Sequence, residues 1–412
     1  MNPTMWTRKR KVAVTILIIF LAGPVGLYVV SNLFPRLGAK GADAARRVLG
    51  NERVAHLEAM AFGMKDAVNR GAYAVGIKHA RAPWGRGAVP TSGLPSAHAA
   101  ALPPEPAPEA EATQWRPHDL EPLGSLTGEG EWSDYLRDDA GHVVARRTFL
   151  QPDAKRPYAV VAVVAFDVQR IRLHYVLGTQ EPSVPGGPHG TGRIAADDRR
   201  ANVLLCAFNG GFKATHGHFG AMADGTVAIP PKPGLAAVAI QRDGKIRLGQ
   251  WGRDVTESPD VVAWRENGRL IIDGGQITEL ALQNRVRDWG GTVDGKVVTW
   301  RSAIGLSQDG RTLYYFAGPS LSMPALARAM QHAGVWEGML LDINAYWVHF
   351  TAFHTHNGKW KAVPLLPDGM NDGVDRYLRT SERDFFYVTL APPAPAKPAP
   401  HVAAPPDRTR VH

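Results

Sequence analysis

The densest collection of reactive side chains lies in Val203–Met222, VLLCAFNGGFKATHGHFGAM. An apolar run from Val203 to Phe208 has the length of a buried strand and stops abruptly at Asn209-Gly210-Gly211. Two glycines after an asparagine free the backbone for positive φ and for close approach of a ligand or another segment. Phe212, Lys213, Thr215, His216 and His218 follow at once. A buried strand emptying into such a turn is a common way to build a binding site. From these residues alone an ordinary hairpin turn with solvated histidines is equally open. His216 and His218 would share a face in an extended chain, as two metal-binding imidazoles do. A second group, VHFTAFHTH at 348–356, places His354 and His356 in the same alternation, with His349 nearby. Trp347, Phe350, Phe353 and Trp360 around it can stack on sugar faces and can equally fill a core. The lone cysteine, Cys206, sits inside the apolar run and reads as a small buried hydrophobe, not a nucleophile.

Strand signals dominate the segment that must position these groups. Tyr158–Asp167 and Ile171–Leu177 read as paired strands around a short turn. Three hairpins are predicted over Gly234–Gly249, Val261–Ile272 and Ala303–Phe316, turning at Asp243-Gly244, Asn267-Gly268 and Asp309-Gly310. Asp273-Gly274-Gly275 reads as a further turn. One helix stands out inside this region, Ser322–Ala333, with Ser322 as N-cap, Pro324 in the first turn and Gly334 as C-cap. A short apolar strand ending in a carboxylate, Met339–Asp342, comes next. Many hairpins with few helices predict an α+β fold with a mixed or antiparallel sheet.

The chain has 412 residues, 47 Lys and Arg against 38 Asp and Glu, and one cysteine. No basic and aromatic run tracks a phosphate backbone, so nucleic acid is not an expected partner; a positive surface favours anionic ones. Residues 1–11 carry Arg8-Lys9-Arg10-Lys11, and residues 12–34 are uncharged throughout. That segment is long enough to cross a bilayer, and the basic flank places its N-terminal end in the cytoplasm. The expectation is a single-pass anchor in a bacterial inner membrane, with the C-terminal domain in the periplasm or outside the cell. Residues 35–122 form a membrane-proximal segment with a helix expected over Arg46–Ala61, followed by a Pro- and Ala-rich linker from 82. Residues 123–390 form the folded unit, and 391–412 a Pro-rich tail.

Three blocks resemble the phosphodiester glycosidase family in order and spacing. NGGF at 209–212 is similar to its Asn-Gly-Gly block, RSAIGLSQDGRTLYYF at 301–316 to its Arg-Thr-Ala-Ile-Gly block and hairpin, and PALARAMQHAGVWEGMLLD at 324–342 to its helix, loop and strand ending in Leu-Asp. The match covers roughly 160–350. One departure follows Asp342: the family continues Gly-Gly-Gly-Ser, whereas here Ile343-Asn344-Ala345-Tyr346-Trp347 stands, filling space that glycines would leave for substrate.

The resemblance implies a hydrolase of sugar–phosphate linkages, acting on an envelope or extracellular glycan, or a catalytically inactive glycan-binding or polysaccharide-assembly protein on the same fold. It implies that Asn209 and Asp342 reach one cleft, with Arg301 entering from a third strand. Arg301 would grip a phosphate through its planar fork. Asn209 and the N–H groups of Gly210 and Gly211 would donate to phosphoryl or sugar oxygens. Asp342 would act at the anomeric carbon as base or nucleophile, with His216, His218 or Glu337 as the acid. Phe212, His218, Asn344 and Trp347 would contact substrate. The sequence requires no cofactor, and a divalent metal at either histidine pair stays open.

Overall fold

The computed structural model describes residues 50–84, 115–283, 298–356 and 359–392. The basic tail, the uncharged segment 12–34, most of the Pro-rich linker and nearly all of the C-terminal tail lie outside these residues. Among the described residues no helix is long and apolar enough to cross a membrane.

Helix α1 (Asn51–Ala74) precedes the strands. It starts later and runs further than the Arg46–Ala61 helix expected from spacing. Strands β1 (Ser133–Arg137), β2 (Val143–Leu150), β3 (Val161–Asp167), β4 (Ile171–Val176) and β5 (Leu204–Asn209) come next. They are followed by β6 (Ala221–Ala223), β7 (Thr226–Ile229), β8 (Ala236–Gln241), β9 (Ile246–Gln250) and β10 (Val261–Glu266). Then come β11 (Leu270–Asp273), β12 (Gln276–Ile277) and the short α2 (Glu279–Gln283). After β13 (Thr299–Leu306) and β14 (Thr312–Leu321), α3 (Met323–His332) leads to β15 (Glu337–Leu340), β16 (Phe350–His356), β17 (Lys359–Pro364) and β18 (Phe385–Leu390).

The strands form three sheets: eight strands in the order β1-β2-β3-β14-β13-β15-β11-β12, five in the order β7-β6-β10-β8-β9, and five in the order β17-β16-β5-β18-β4. Neighbouring strands pair antiparallel throughout, so the fold is mostly β with three α-helices among the described residues, and the mixed-sheet option falls away. Two expected pairings also fail. β3 pairs with β2 and β14, while β4 pairs with β18 in another sheet. β10 and β11 are likewise split, β10 joining β6 and β8 while β11 joins β12 and β15. In both cases the short connection is a crossing between layers, which a turn signal cannot distinguish from a hairpin. The hairpins β8–β9 and β13–β14 form as expected.

The large sheet is buried on both faces, which is why β3 is apolar at nearly every position. Ala162, Val164 and Phe166 face a core shared with both smaller sheets, built around Phe208, Tyr315, Phe350 and Phe386. Val161, Val163 and Ala165 face a second core roofed by α3 through Leu326, Ala327 and Met330. The caps of α3 follow the sequence expectation: Ser322 Oγ accepts from the Ala325 N–H at 3.3 Å, and Gly334 takes φ 83° past the C-terminus.

Asp66 is a polar anchor between helix α1 and this body. Arg156 grips Asp66 with both arms of its guanidinium, Nε and Nη2 each at 2.7 Å, and the rings of Tyr73 and Tyr158 lie 5.6 Å apart beside them. A bidentate charged pair contributes more than a neutral hydrogen bond. Asp66→Ala is therefore expected to destabilise helix docking by about 2 kcal/mol. Hydrogen exchange should show 51–74 losing protection while β3 and β14 keep theirs; uniform protection would contradict this.

Candidate active site

The turn after β5 is built from the inside. β5 lies between β16 and β18, so Asn209 emerges into a buried environment. Its Nδ2 donates to Ser302 Oγ at 2.9 Å and to the Gly210 carbonyl at 3.0 Å. Its Oδ1 accepts from Tyr315 Oη at 2.9 Å and from the His349 N–H at 3.2 Å. The Asn209 amide is thus committed to the framework. The glycine N–H groups are committed as well: Gly210 N donates to the Asp384 carbonyl at 3.2 Å and Gly211 N to Asp384 Oδ2 at 3.1 Å. Neither glycine has positive φ. They are required because other groups come close: a Cβ on Gly210 would overlap the Asp384 carboxylate, and one on Gly211 would lie 2.9 Å from Arg265 Nη2.

Three consecutive residues at the end of β10 and just beyond it supply the brace. Arg265 is fully buried; its Nε donates to Asp384 Oδ2 at 2.8 Å, Nη1 to the Glu266 carbonyl at 2.7 Å, and Nη2 to the Phe212 carbonyl. Glu266 accepts from the N–H groups of Gly220 and Lys232, each at 2.8 Å. Asn267 accepts from Phe212 N at 3.1 Å and donates to the carbonyls of Leu340 and Leu341 at 2.9 and 3.1 Å. Asp384 Oδ2 also accepts from Tyr175 Oη at 3.0 Å, and burial together with that carboxylate holds the Tyr175 phenol well above its ordinary range.

Asp342 stands on this frame. Its N–H donates to the Gly210 carbonyl at 3.1 Å, tying the end of β15 to the Asn-Gly-Gly turn. Ser302 pairs with two residues at once, its N–H donating to the Asp342 carbonyl at 3.2 Å and its carbonyl accepting from Leu341 N at 2.9 Å. This two-against-one pairing is that of a β-bulge, which re-aims the side chain beyond it. Asp342 Oδ1 accepts from the Ile343 N–H at 2.8 Å and Oδ2 from Arg383 Nη2 at 2.6 Å. Burial outweighs the arginine and pushes the carboxyl up to about 6. Arg383 also donates to the Gly211 carbonyl at 2.8 Å and lies 4.6 Å over the Trp347 ring. Its Nε is buried with no hydrogen-bond partner among the described residues. Lys213 Nζ lies 5.9 Å from the same ring. A titratable carboxylate, an arginine with an unused donor and a lysine therefore meet around one indole, a set suited to an anionic sugar derivative.

The remaining sequence candidates divide. Asn209, Gly210, Gly211 and Asp342 are brought together, and Trp347 joins them through Arg383. Arg301 is turned away: Trp300 and Ile304 face the first core and Ala303 the second, so alternation points Arg301 to the opposite face of β13 from Ser302. There its Nε donates to the Leu321 carbonyl at 3.0 Å, and burial lowers its guanidinium to about 10. Phe212 is a core residue, 3% exposed. His216 closes a 3₁₀ turn, Ala214–His216, with its ring edge-on to Phe212, whereas exposed His218 has φ 50°. They share no strand face, so the expected two-imidazole geometry is not formed. Glu337 sits at the far end of β15 from Asp342, accepting from Gly274 N at 3.1 Å; burial raises it to about 7. His349 is 1% exposed and burial lowers it to about 3, which leaves a neutral core imidazole. Among the described residues no three His, Cys, Asp or Glu side chains converge to hold a metal. Cys206 is buried, and burial pushes its thiol well up.

Asn344 accepts from Tyr346 N at 2.9 Å through its own side chain and has φ 147°, a conformation nearly restricted to glycine. The backbone thus keeps the path of a glycine at a position where the resembling family has one. Arg265, Asn267, Ser302, Arg383 and Asp384 were missed in the sequence. Arg265 and Asn267 were hidden in what read as a hairpin. Arg383-Asp384 carried only the weak signal of two opposite charges before an apolar strand.

Residues 202–342 match the family model described as phosphodiester glycosidase, which bears out the resemblance. That stretch includes Asn209, Arg265, Asn267 and Asp342, whereas Trp347, Arg383 and Asp384 lie beyond it. Among solved structures, the zebrafish N-acetylglucosamine-1-phosphodiester alpha-N-acetylglucosaminidase catalytic domain, auto-inhibited by its pro-peptide, is 13% identical with a TM-score of 0.36, covering 63% of this chain and 87% of that one. A hypothetical protein from Synechocystis is 12% identical with a TM-score of 0.32, over 57% and 59% of the two chains. A putative exported protein from Burkholderia pseudomallei is 13% identical with a TM-score of 0.26, over 57% and 74%. No curated protein matches the chain.

Two outcomes follow from the geometry. Arg265→Met leaves the Asp384 charge buried without its partner and should destabilise the fold by about 3–5 kcal/mol in urea titrations, with Arg265→Met/Asp384→Leu recovering part of that. Asp342 is raised in the native state, so its contribution to stability is present below about pH 4 and is lost as pH rises through about 6. The loss is roughly 3 kcal/mol. Asp342→Asn should flatten this dependence; an unchanged pH profile would place the shift elsewhere.

Proposed function

We propose that this protein is a hydrolase of the phosphodiester glycosidase type, held to a membrane by residues 12–34 and acting outside the cytoplasm on sugar–phosphate linkages of a glycan. The observation that carries this reading is the Asp342–Arg383 pair beneath Trp347, standing on the Asn209-Gly210-Gly211 turn within and just beyond the matched stretch. Arg383 fixes the phosphate with its unused donor, and Lys213 adds positive charge. Asp342, mostly ionised above pH 6, acts at the anomeric carbon directly or by taking a proton from water. The bond from that carbon to the phosphate oxygen breaks, and the leaving group is a phosphate monoester already able to carry negative charge. We propose His216, in the 3₁₀ turn that follows Phe212, as the acid that assists it. Arg301 is given no substrate contact in this reading. Because Trp347 covers Arg383, entry of substrate requires movement of the turn at 343–348, in which Asn344 is the strained residue.

A second reading, a glycan-binding protein without turnover, draws on Ile343. Its side chain packs against the second core where the resembling family has glycine, and Asp342 is only 6% exposed.

The test is hydrolysis of chromogenic sugar phosphodiesters and plain glycosides by the full chain. Asp342→Asn should lose roughly 10²–10⁴-fold in rate, and Arg383→Lys roughly 10²–10³-fold on phosphodiesters alone. The wild-type rate should rise with pH through about 6. Full activity in Asp342→Asn would sink the assignment, and saturable glycan binding without product would establish the second reading. Deleting residues 1–40 should move the protein from the membrane to the soluble fraction.

A further inference from the structure

Away from Asp342, a cavity of about 320 Å³ is lined by Arg193, Ile194, Arg199, Tyr377, Leu378, Arg379 and Thr380. Three of these seven side chains are arginines and none is a carboxylate. Two chain segments form it, joined where Ser381 N donates to the Gly192 carbonyl at 2.8 Å; Gly192 N in turn donates to the Leu177 carbonyl, just past β4, at 3.0 Å. Gly192 has φ 63° and abuts the Ser381 carbonyl, so no side chain fits at the seam. Arg193 is oriented across it by its Nε, which donates to Thr380 Oγ1 at 2.7 Å. Arg379 is held on its own segment by Asp375, outside the lining. Arg199 is exposed and forms no ion pair among the described residues. Tyr377, Ile194 and Leu378 give the cavity an apolar wall.

The same segment leads to the Asp342 site. Arg376 donates to the Tyr346 carbonyl at 2.7 Å and stacks 4.6 Å over the Tyr346 ring, whose neighbour is Trp347. Thr380 is three residues from Arg383, a span of at most about 10 Å in an extended chain.

We infer that this cavity is a second binding site, for an anionic group carried by a sugar: a phosphate, sulfate or carboxylate. Guanidinium forks match all three, and the apolar wall suits the face of a pyranose ring. Its role as a subsite that positions a charged glycan for cleavage rests on the hydrolase reading; the binding itself does not.

The experiment measures binding by the full chain, using calorimetry, of oligosaccharides bearing one phosphate, one sulfate or one carboxylate, and of their neutral parent. Wild type is compared with Arg193→Ala/Arg199→Ala and with Asp342→Asn. All three substituted residues can be checked for folding by thermal unfolding. At least one anionic probe should bind more tightly than the neutral parent. The arginine variant should weaken that probe by about tenfold or more, and Asp342→Asn should leave its binding in place. The arm that binds most tightly identifies the anionic group. Equal binding of charged and neutral probes, or binding unchanged in the arginine variant, would overturn the site. Loss of turnover in Asp342→Asn with anion binding retained there and lost in the Arg193→Ala/Arg199→Ala variant separates the two sites, and anion binding without turnover in wild type, weakened in that arginine variant, would retain this site while removing the hydrolase reading. Arg193→Lys/Arg199→Lys, which keeps charge but not the fork, should fall between wild type and the alanine variant.

Discussion

The buried ion pair between Arg265 and Asp384 is the constraint on which the rest of the site depends. An isolated charge in such a place would be costly, so each member must be surrounded by partners. Those partners come from separate sheets: Arg265 from β10, Tyr175 from β4, Asp384 from the segment entering β18, and Gly211 from the turn after β5. The pair therefore locks two layers together and sets the path of the Asn-Gly-Gly turn at the same time. The absence of side chains at Gly210 and Gly211 follows from it, because the carboxylate and the guanidinium occupy the space a Cβ would need.

Asp342, whose partner Arg383 immediately precedes Asp384 in the chain, lives in a different balance. It is paired with Arg383, yet burial wins and raises its proton affinity. A carboxyl whose charged form is disfavoured by burial and favoured by a single arginine is poised to change state in response to what enters beside it. The framework around it has no such freedom, since Asn209 and Ser302 bond each other and the backbone, and Asn267 bonds the backbone through both ends of its amide. A rigid cradle holding one titratable group is an arrangement that suits chemistry.

The segment after Asp342 sets large side chains on a backbone path that glycine takes most easily. Asn344 holds φ 147° with the help of its own amide, so the path a glycine would take is preserved at the cost of some strain. The new side chains do not line an open groove. Ile343 packs into the second core, and Tyr346 and Trp347 serve as platforms for Arg376 and Arg383. Together they form an aromatic cover carrying two guanidinium groups.

Local chemistry made several elements legible in the sequence. β5 was readable because an apolar run stops at Asn-Gly-Gly, and α3 because Ser322, Pro324 and Gly334 mark its ends. The hairpins β8–β9 and β13–β14 were readable because Asp-Gly turns sit between strands that do pair. The blocks around Asn209, Arg301 and Asp342 pointed to the family for the same reason, since each is a continuous pattern. The pairing of β3 with β14, the split of β10 from β11, and the opposite facings of Arg301 and Ser302 were decided only in three dimensions. So was the site's second half: Arg383 and Asp384 lie 41 and 173 residues along the chain from their partners Asp342 and Gly211. A turn signal reports that the chain reverses or bends but not which sheet receives the next strand. A charge reports no partner until burial makes finding one obligatory, and burial is a property of the packed layers alone.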